Sequence, residues 1–246
     1  EEGRLVRGAF AAPEGYLLLS CDYSQVELRL LAHMSEDPEL IGAFQRDEDV
    51  HATTAAAVLG IPLDEVTKEQ RALAKAINFG LMYGMSDYGL AARTDLTQEE
   101  AHDFIETYFT RFQGVKRYLE QIKSQAYKQG YVETILGRRR YFPELQSRSA
   151  SSLRQSAERA AINMPIQGSA ADIIKIAMIR LHDALKGLPT DAAMVLQVHD
   201  ELVLEVPEDD LDQVRDLVVK TMSQAHKLRV PLKVDAVVGR NWMELK

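Results

Sequence analysis

Two aspartates, Asp22 and Asp200, each stand where an apolar run meets a polar break. Asp22 closes Tyr16-Leu-Leu-Leu-Ser-Cys-Asp22, and Asp200 interrupts Met194-Val-Leu-Gln-Val-His199-Asp200-Glu201-Leu-Val-Leu-Glu-Val206. Both runs have the composition of strands, the second as two strands about a turn. Carboxylates carried on adjacent strands can hold two divalent cations close together. That arrangement activates and stabilises both oxygens of an in-line phosphoryl displacement. An Asp at a strand end is more commonly a turn former or helix cap. Ser24 and Glu27 also fit an S-x-x-E capping box opening the next helix. Neither aspartate alone carries the reading.

The segment between them adds the missing specificity. In Gln70-Arg71-Ala-Leu-Ala-Lys75-Ala-Ile-Asn78-Phe79-Gly80-Leu-Met-Tyr83-Gly84, the residues Arg71, Lys75, Phe79 and Tyr83 recur every four positions. On a helix they make one slowly drifting stripe. Cations at helical spacing are usually a solvated face, and aromatics at that spacing are usually core. A stripe cationic at one end and aromatic at the other fits neither. It suits a ligand with a polyphosphate end for the cations and a flat end, base and sugar, for the rings.

These groups need a scaffold. Residues 16–22 read as a buried strand, followed by a helix to about Met34, and residues 64–83 contain the striped helix. Thr97-Gln-Glu-Glu100 is a capping box opening a helix with Ala101, Phe104, Ile105, Tyr108, Phe109 and Phe112 on its apolar face. A further helix runs to about Gln129 and stops at Gly130, and residues 131–142 predict a hairpin turning near Gly137. Pro165 is expected to break the helix leading to Asn163, with a second helix over 169–186. After the hairpin around Asp200 come a helix at about 209–227 and a last strand at 232–238. Strands gather at the two ends and helices in the middle. That is the pattern of an α+β fold, a mainly antiparallel sheet with a large helical insertion.

At 246 residues and 46% hydrophobic, the chain can bury the core of one large or two intimate domains. It has no run of about 18 apolar residues and no signal-peptide pattern, which predicts a soluble, cytoplasmic protein without a membrane partner. Cys21, the one cysteine, falls in an apolar strand as a small core residue, and the six histidines form no zinc-binding pattern. A net charge of −8 counts against nucleic-acid binding. Affinity depends, however, on the charges facing the phosphates rather than on the sum. Arg138, Arg139, Arg140, Arg148, Arg154 and Arg159 give the middle of the chain a basic stretch, and the acidic excess lies elsewhere, as at Glu208-Asp-Asp210.

Three motifs now stand in order: Asp22-Tyr-Ser-Gln-Val-Glu-Leu-Arg29, Arg71-x-x-x-Lys75-x-x-x-Phe79-x-x-x-Tyr83-Gly84, and Val198-His-Asp-Glu201. They resemble the three polymerase motifs of the family A DNA polymerases of the bacterial kind. The resemblance covers essentially the whole chain, including Gly137-Arg-Arg-Arg-Tyr141 and Asn163-Met-Pro-Ile-Gln167-Gly-Ser-Ala-Ala. It implies a palm at 1–35 and 158–246 and fingers at 36–157. The thumb and exonuclease-like domain that precede this segment in such enzymes are absent. A chain beginning at Glu1 without an initiator Met is therefore expected to be a C-terminal fragment or processed chain, working with an upstream polypeptide. The implied activity is template-directed DNA synthesis on primer–template DNA at the nucleoid, in replication or repair, with nucleotidyl transfer from a dNTP to a primer 3′ end and release of pyrophosphate.

The resemblance also implies roles. Asp22 and Asp200 are the metal-binding carboxylates, with the backbone carbonyl of Tyr23, for two Mg²⁺ ions that Mn²⁺ can replace. One ion lowers the pKa of the primer 3′-hydroxyl, and the other holds the triphosphate and stabilises the leaving pyrophosphate. Glu201 adjoins them as a further candidate ligand, a polar hairpin residue being the equal alternative. Arg71 and Lys75 bind the triphosphate, and Lys75 protonates the leaving group. Phe79 lies against sugar and base, Tyr83 beside the nascent pair, and His51 near the triphosphate. Glu27 is a steric gate against a ribose 2′-hydroxyl. Arg159, Asn163, Gln167 and His199 face the primer–template end, where amide and imidazole donors suit minor-groove acceptors. Arg138, Arg139 and Arg140 contact template phosphates. An RNA polymerase or reverse transcriptase could use the same aspartates, but Glu27 argues against ribonucleotides. The remaining alternative is a non-catalytic fragment that contributes structure or DNA contacts to a larger assembly.

Overall fold

The run from Leu17 to Cys21 leaves a strand no polar face for solvent, so it must lie inside a sheet. Leu18, Leu19, Ser20 and Cys21 are indeed all buried. The computed structural model describes residues 2–146 and 150–245. In chain order the elements are α1 (Glu2–Gly8), β1 (Tyr16–Tyr23), α2 (Val26–Ser35), α3 (Pro38–Gln45), α4 (Val50–Leu59), α5 (Lys68–Met82), α6 (Asp87–Ala91), α7 (Gln98–Arg111), α8 (Gln113–Gln129), β2 (Tyr131–Glu133), β3 (Arg139–Tyr141), α9 (Pro143–Gln146), α10 (Ser151–Lys186), β4 (Ala193–Val198), β5 (Glu201–Pro207), α11 (Leu211–Ser223) and β6 (Val234–Gly239). The fold is α+β, in two compact units. One comprises Glu1–Val26, Ala170–Lys227 and Leu232–Lys246, and the other Glu27–Ser169 and Leu228–Pro231.

In the first unit the sheet is antiparallel and ordered β4-β5-β1-β6, with β1 inside it. Helix α11 packs on β1 and β6. It does so with Val214, Val218 and Met222, one residue per turn and all fully buried. Each such side chain contributes about 1.5–3 kcal/mol of burial free energy. The edge strand β4 has a bulge between Met194 and Leu196, a device that discourages pairing along an open edge.

In the second unit the helix ends follow from local chemistry. The Asp37 carboxylate accepts from the Glu39 and Leu40 N–H groups and caps α3. Asp49 caps α4 in the same way. Capping boxes Thr67–Gln70 and Thr97–Glu100 open α5 and α7, each cap contributing about 1 kcal/mol. Asp37 also accepts from the Gly114 N–H at 2.8 Å. A Cβ on Gly114 would lie 2.7 Å from the Asp37 Cα, so only glycine permits that approach. Gly130 ends α8 and Gly137 turns the β2–β3 hairpin, both at the expected positions and with positive φ.

One local expectation fails. Pro165 does not break a helix: α10 runs through it for 36 residues. Proline costs roughly 3 kcal/mol in a helix interior, but Ala161, Met164, Ile166 and Ser169 around it are buried. The Ser169 hydroxyl donates to the Pro165 carbonyl and accepts from the Ile135 N–H. Tertiary burial outweighs the lost N–H. Helix α2 starts at Val26, after Gln25 at a φ of 55°. Among the described residues no helix is long and apolar enough to cross a membrane.

Candidate functional site

In the sheet unit, antiparallel register decides which carboxylates meet. Asp22 pairs with Glu201 of β5 on one side and Asp235 of β6 on the other. Directly opposed residues project from the same face. Asp200 lies just before β5 in a two-residue connection from β4, where His199 takes a φ of 55°, as tight hairpin turns require. The Tyr23 N–H donates to the Asp200 carbonyl at 3.3 Å, tying the backbone beside Asp22 to that of Asp200. Asp22 and Asp235 are exposed, Asp200 is half-buried and Glu201 is buried. Ser20 Oγ donates to Glu201 Oε1 at 2.7 Å. Tyr23 anchors the strand end, its hydroxyl donating to the Met222 carbonyl at 2.7 Å. Burial pushes the Tyr23 hydroxyl pKa up, and raises the Cys21 thiol to about 12.

Four carboxylate residues thus share one end of the sheet, and their hard oxygen atoms suit Mg²⁺. Among the described residues no three His, Cys, Asp or Glu gather closely enough to hold an ion unaided. A Mg²⁺ site commonly uses one or two carboxylates and takes its other ligands from water and substrate phosphates. The donor set fits that kind of site.

In the helical unit the stripe forms as expected. Arg71, Lys75 and Phe79 lie on α5, and Tyr83 is its C-cap. The Phe79 ring centroid is 6.3 Å from Tyr83 and 5.8 Å from His51 of α4. Arg71 Nε pairs with Asp49 at 2.6 Å. Burial acts to raise the Asp49 pKa, but the Arg71 hydrogen bond and the Ala52 and His51 N–H groups hold it below the usual range. Lys75 is exposed and, among the described residues, has no acidic partner. His51 is only 2% exposed. Burial lowers its pKa to about 4 despite the pull of Asp49, with Arg71 and Lys75 pushing the same way. The Tyr83 hydroxyl donates to Glu27.

Arg159, Asn163 and Gln167 are spaced four apart on α10, so they form a single stripe. Gly84 packs under Arg159: a Cβ there would lie 3.3 Å from Arg159 Cγ, and its φ of 70° already favours glycine. A cavity of about 560 Å³ lies in this unit, bounded by Tyr83, Gly84, Met85, Arg93, Gln155 and Arg159. That volume is ordinary for a small-molecule site. His199, in the other unit, is exposed at its turn. The hairpin arginines are engaged. Arg138 donates to the Gly168 carbonyl at 2.9 Å, Arg139 pairs with Glu133 at 2.7 Å and lies over Tyr131, and Arg140 lies over Phe142. Arg148 lies outside the described residues.

Sequence reasoning did not single out Asp49, Asn78 or Asp235. Asp49 carried a signal, since an Asp two residues before His51 is a helix cap. Asp235 carried only its place in an alternating strand.

The chain belongs to DNA polymerase family A, whose model matches residues 1–244. It is 52% identical over 243 residues to DNA polymerase I of Pseudomonas aeruginosa, covering 99% of this chain and 26% of that protein. It is 51% identical over 247 residues to DNA polymerase I of Bacillus caldotenax, covering all of this chain and 28% of that one. The chain therefore spans about a quarter of the length of these relatives. It is also similar to the solved POL domain of Pol1 from M. smegmatis in complex with DNA primer-template and dNTP. That similarity has a TM-score of 0.94 and 49% identity, covering all of this chain and 43% of that one.

Proposed function

We propose that this chain is a DNA-directed DNA polymerase that transfers a nucleotidyl group from a dNTP to a primer 3′ end and releases pyrophosphate. The observation that carries the reading is the placement of Asp22 and Asp200 at one end of β1 and β5, within a chain of this family. Residues 1–35 and 158–246 serve as palm and 36–157 as fingers. Asp22, Asp200 and the Tyr23 carbonyl would hold two Mg²⁺ or Mn²⁺ ions, with Glu201 as a further oxygen donor steadied by Ser20. Bound there, such ions supply charge stabilisation to the attacking and leaving oxygens.

Arg71 and Lys75 bind triphosphate oxygens, and the exposed Lys75 ammonium is the group that donates a proton to the leaving pyrophosphate. Phe79 packs on sugar and base and Tyr83 beside the nascent pair, while Glu27 leaves no room for a 2′-hydroxyl. His51 contributes a contact to the triphosphate. Arg159, Asn163, Gln167 and His199 offer donors to minor-groove acceptors. Arg138, Arg139 and Arg140 reach template phosphates only by exchanging their present partners.

An upstream polypeptide bearing a thumb supplies additional grip on primer–template. This chain alone, with a net charge of −8, neutralises few phosphates and binds DNA weakly and with strong salt dependence. Primer extension with Mg²⁺ and dNTPs, with and without that polypeptide, tests both parts. Extension in neither case overturns the polymerase reading in favour of a DNA-binding or structural fragment. Equal extension and equal affinity in both cases remove the need for the upstream part.

A further inference from the structure

The distances in the hydrogen-bond chain behind His51 point to one arrangement of its protons. Thr54 Oγ1 donates to the Val50 carbonyl one turn back at 2.7 Å. With its only proton used, Thr54 must accept from Asn78, whose Nδ2 is 3.0 Å away and whose Oδ1 is farther, at 3.3 Å. The shorter contact places Nδ2 on the side of the amide that faces His51, 3.1 Å from His51 Nδ1. A carboxamide nitrogen has two protons to give and accepts none. His51 Nδ1 must therefore accept, and the neutral ring carries its hydrogen on Nε2.

His51, Thr54 and Asn78 are each at most 2% exposed, so the chain of contacts is enclosed. Among the described residues Nε2 has no hydrogen-bond partner, yet it is not one of the sealed side-chain atoms left without one. It is the edge of the ring that solvent reaches. Burial keeps the ring uncharged, with a pKa of about 4.

We propose that Asn78, oriented by Thr54, is a positioning residue that holds His51 as the Nε2–H tautomer, a neutral donor for a phosphate oxygen of the incoming nucleotide. This rests on reading His51 as a triphosphate contact. A neutral N–H binds phosphate without adding a third positive charge to Arg71 and Lys75. It fixes the phosphate's place without tightening the hold on the departing pyrophosphate.

Polymerase labelled with ¹⁵N only at histidine, with His51 assigned by comparison with His51→Gln, reveals the tautomer in a long-range proton–nitrogen spectrum. The wild type should show protonated Nε2 and bare Nδ1. Asn78→Ala should show a mixture, and so should the nearly isosteric Thr54→Val, which guards against misfolding of the first variant. A protonated Nδ1 in the wild type, or an unmixed Nε2–H form in both variants, overturns the role of Asn78. Binding of dGTP should weaken about fivefold in Asn78→Ala and show no further loss when that change is added to His51→Gln. Independent, additive losses would leave Asn78 a packing residue only. The triphosphate reading fails separately: a wild-type His51 Nε2 signal unmoved by saturating dGTP overturns that contact whatever the tautomer.

Discussion

The Tyr83 hydroxyl donates to the Glu27 carboxylate at 2.5 Å, joining the end of α5 to the first turn of α2 across 56 positions. A hydrogen bond to a charged acceptor is worth about 1.5–3 kcal/mol, enough to hold both side chains in one arrangement. The group proposed to exclude a ribose and the ring proposed to meet the base pair are therefore not independent.

Glu27→Ala should raise ribonucleotide incorporation relative to deoxyribonucleotide incorporation, because a clash disappears with the side chain. It should also lower kcat/KM for the correct dNTP, since Tyr83 loses its acceptor. Tyr83→Phe removes only the hydroxyl and should lose part of the sugar selectivity, by roughly tenfold or less. Single-nucleotide insertion assays measure both. Unchanged sugar selectivity in Glu27→Ala would sink the gate.

Asp22→Ala or Asp200→Ala should reduce extension to background while leaving the fold intact. Asp22 is flanked in register by Glu201 and Asp235, so removing its charge relieves like-charge repulsion. Thermal unfolding in EDTA should show Tm unchanged or higher. Near wild-type extension by either variant would end the two-metal assignment.

Stability should fall as pH drops from about 6.5, where an unfolded histidine titrates, to about 4, where folded His51 does. Across that window the unfolded chain binds a proton that the folded chain refuses, so acid favours unfolding. His51→Gln should flatten this part of the curve. Asp49, whose folded pKa is held down, contributes a further acid loss below it that the variant retains. Urea midpoints across the range provide the measurement, and an identical slope in both proteins would mean that His51 is not the neutral buried ring.

Phe79→Tyr should make dideoxynucleotides better substrates, since the added hydroxyl can replace the interaction that a missing 3′-hydroxyl would have supplied. Chain-termination efficiency at matched dNTP and ddNTP concentrations reads this directly. No change would mean that Phe79 does not meet the sugar.

What the sequence made legible was local or strongly patterned. The apolar run ending at Asp22, the Thr97 capping box, the glycine stops at Gly130 and Gly137 and the four-residue stripe on α5 each state their structure within a few positions. Pro165 misled because its penalty is local, while the burial that overrides it comes from distant packing. Asp49 and Asn78 act through partners 22 and 27 positions away. Only the packing of α4 against α5 brings those pairs together.

The placement of β1 has a consequence for biosynthesis. Its neighbours β5 and β6 are encoded much later: Cys21 pairs with Leu202, 181 positions on, and with Ala236, 215 positions on. A nascent chain therefore carries this strand with both edges unpaired until β5 has been made, and closing so long a loop is entropically slow. The helical unit, nearly continuous from Glu27 to Ser169, has no such wait. Synthesis that stalls before β6 leaves an apolar strand lacking one neighbour, the kind of edge that invites pairing with another chain.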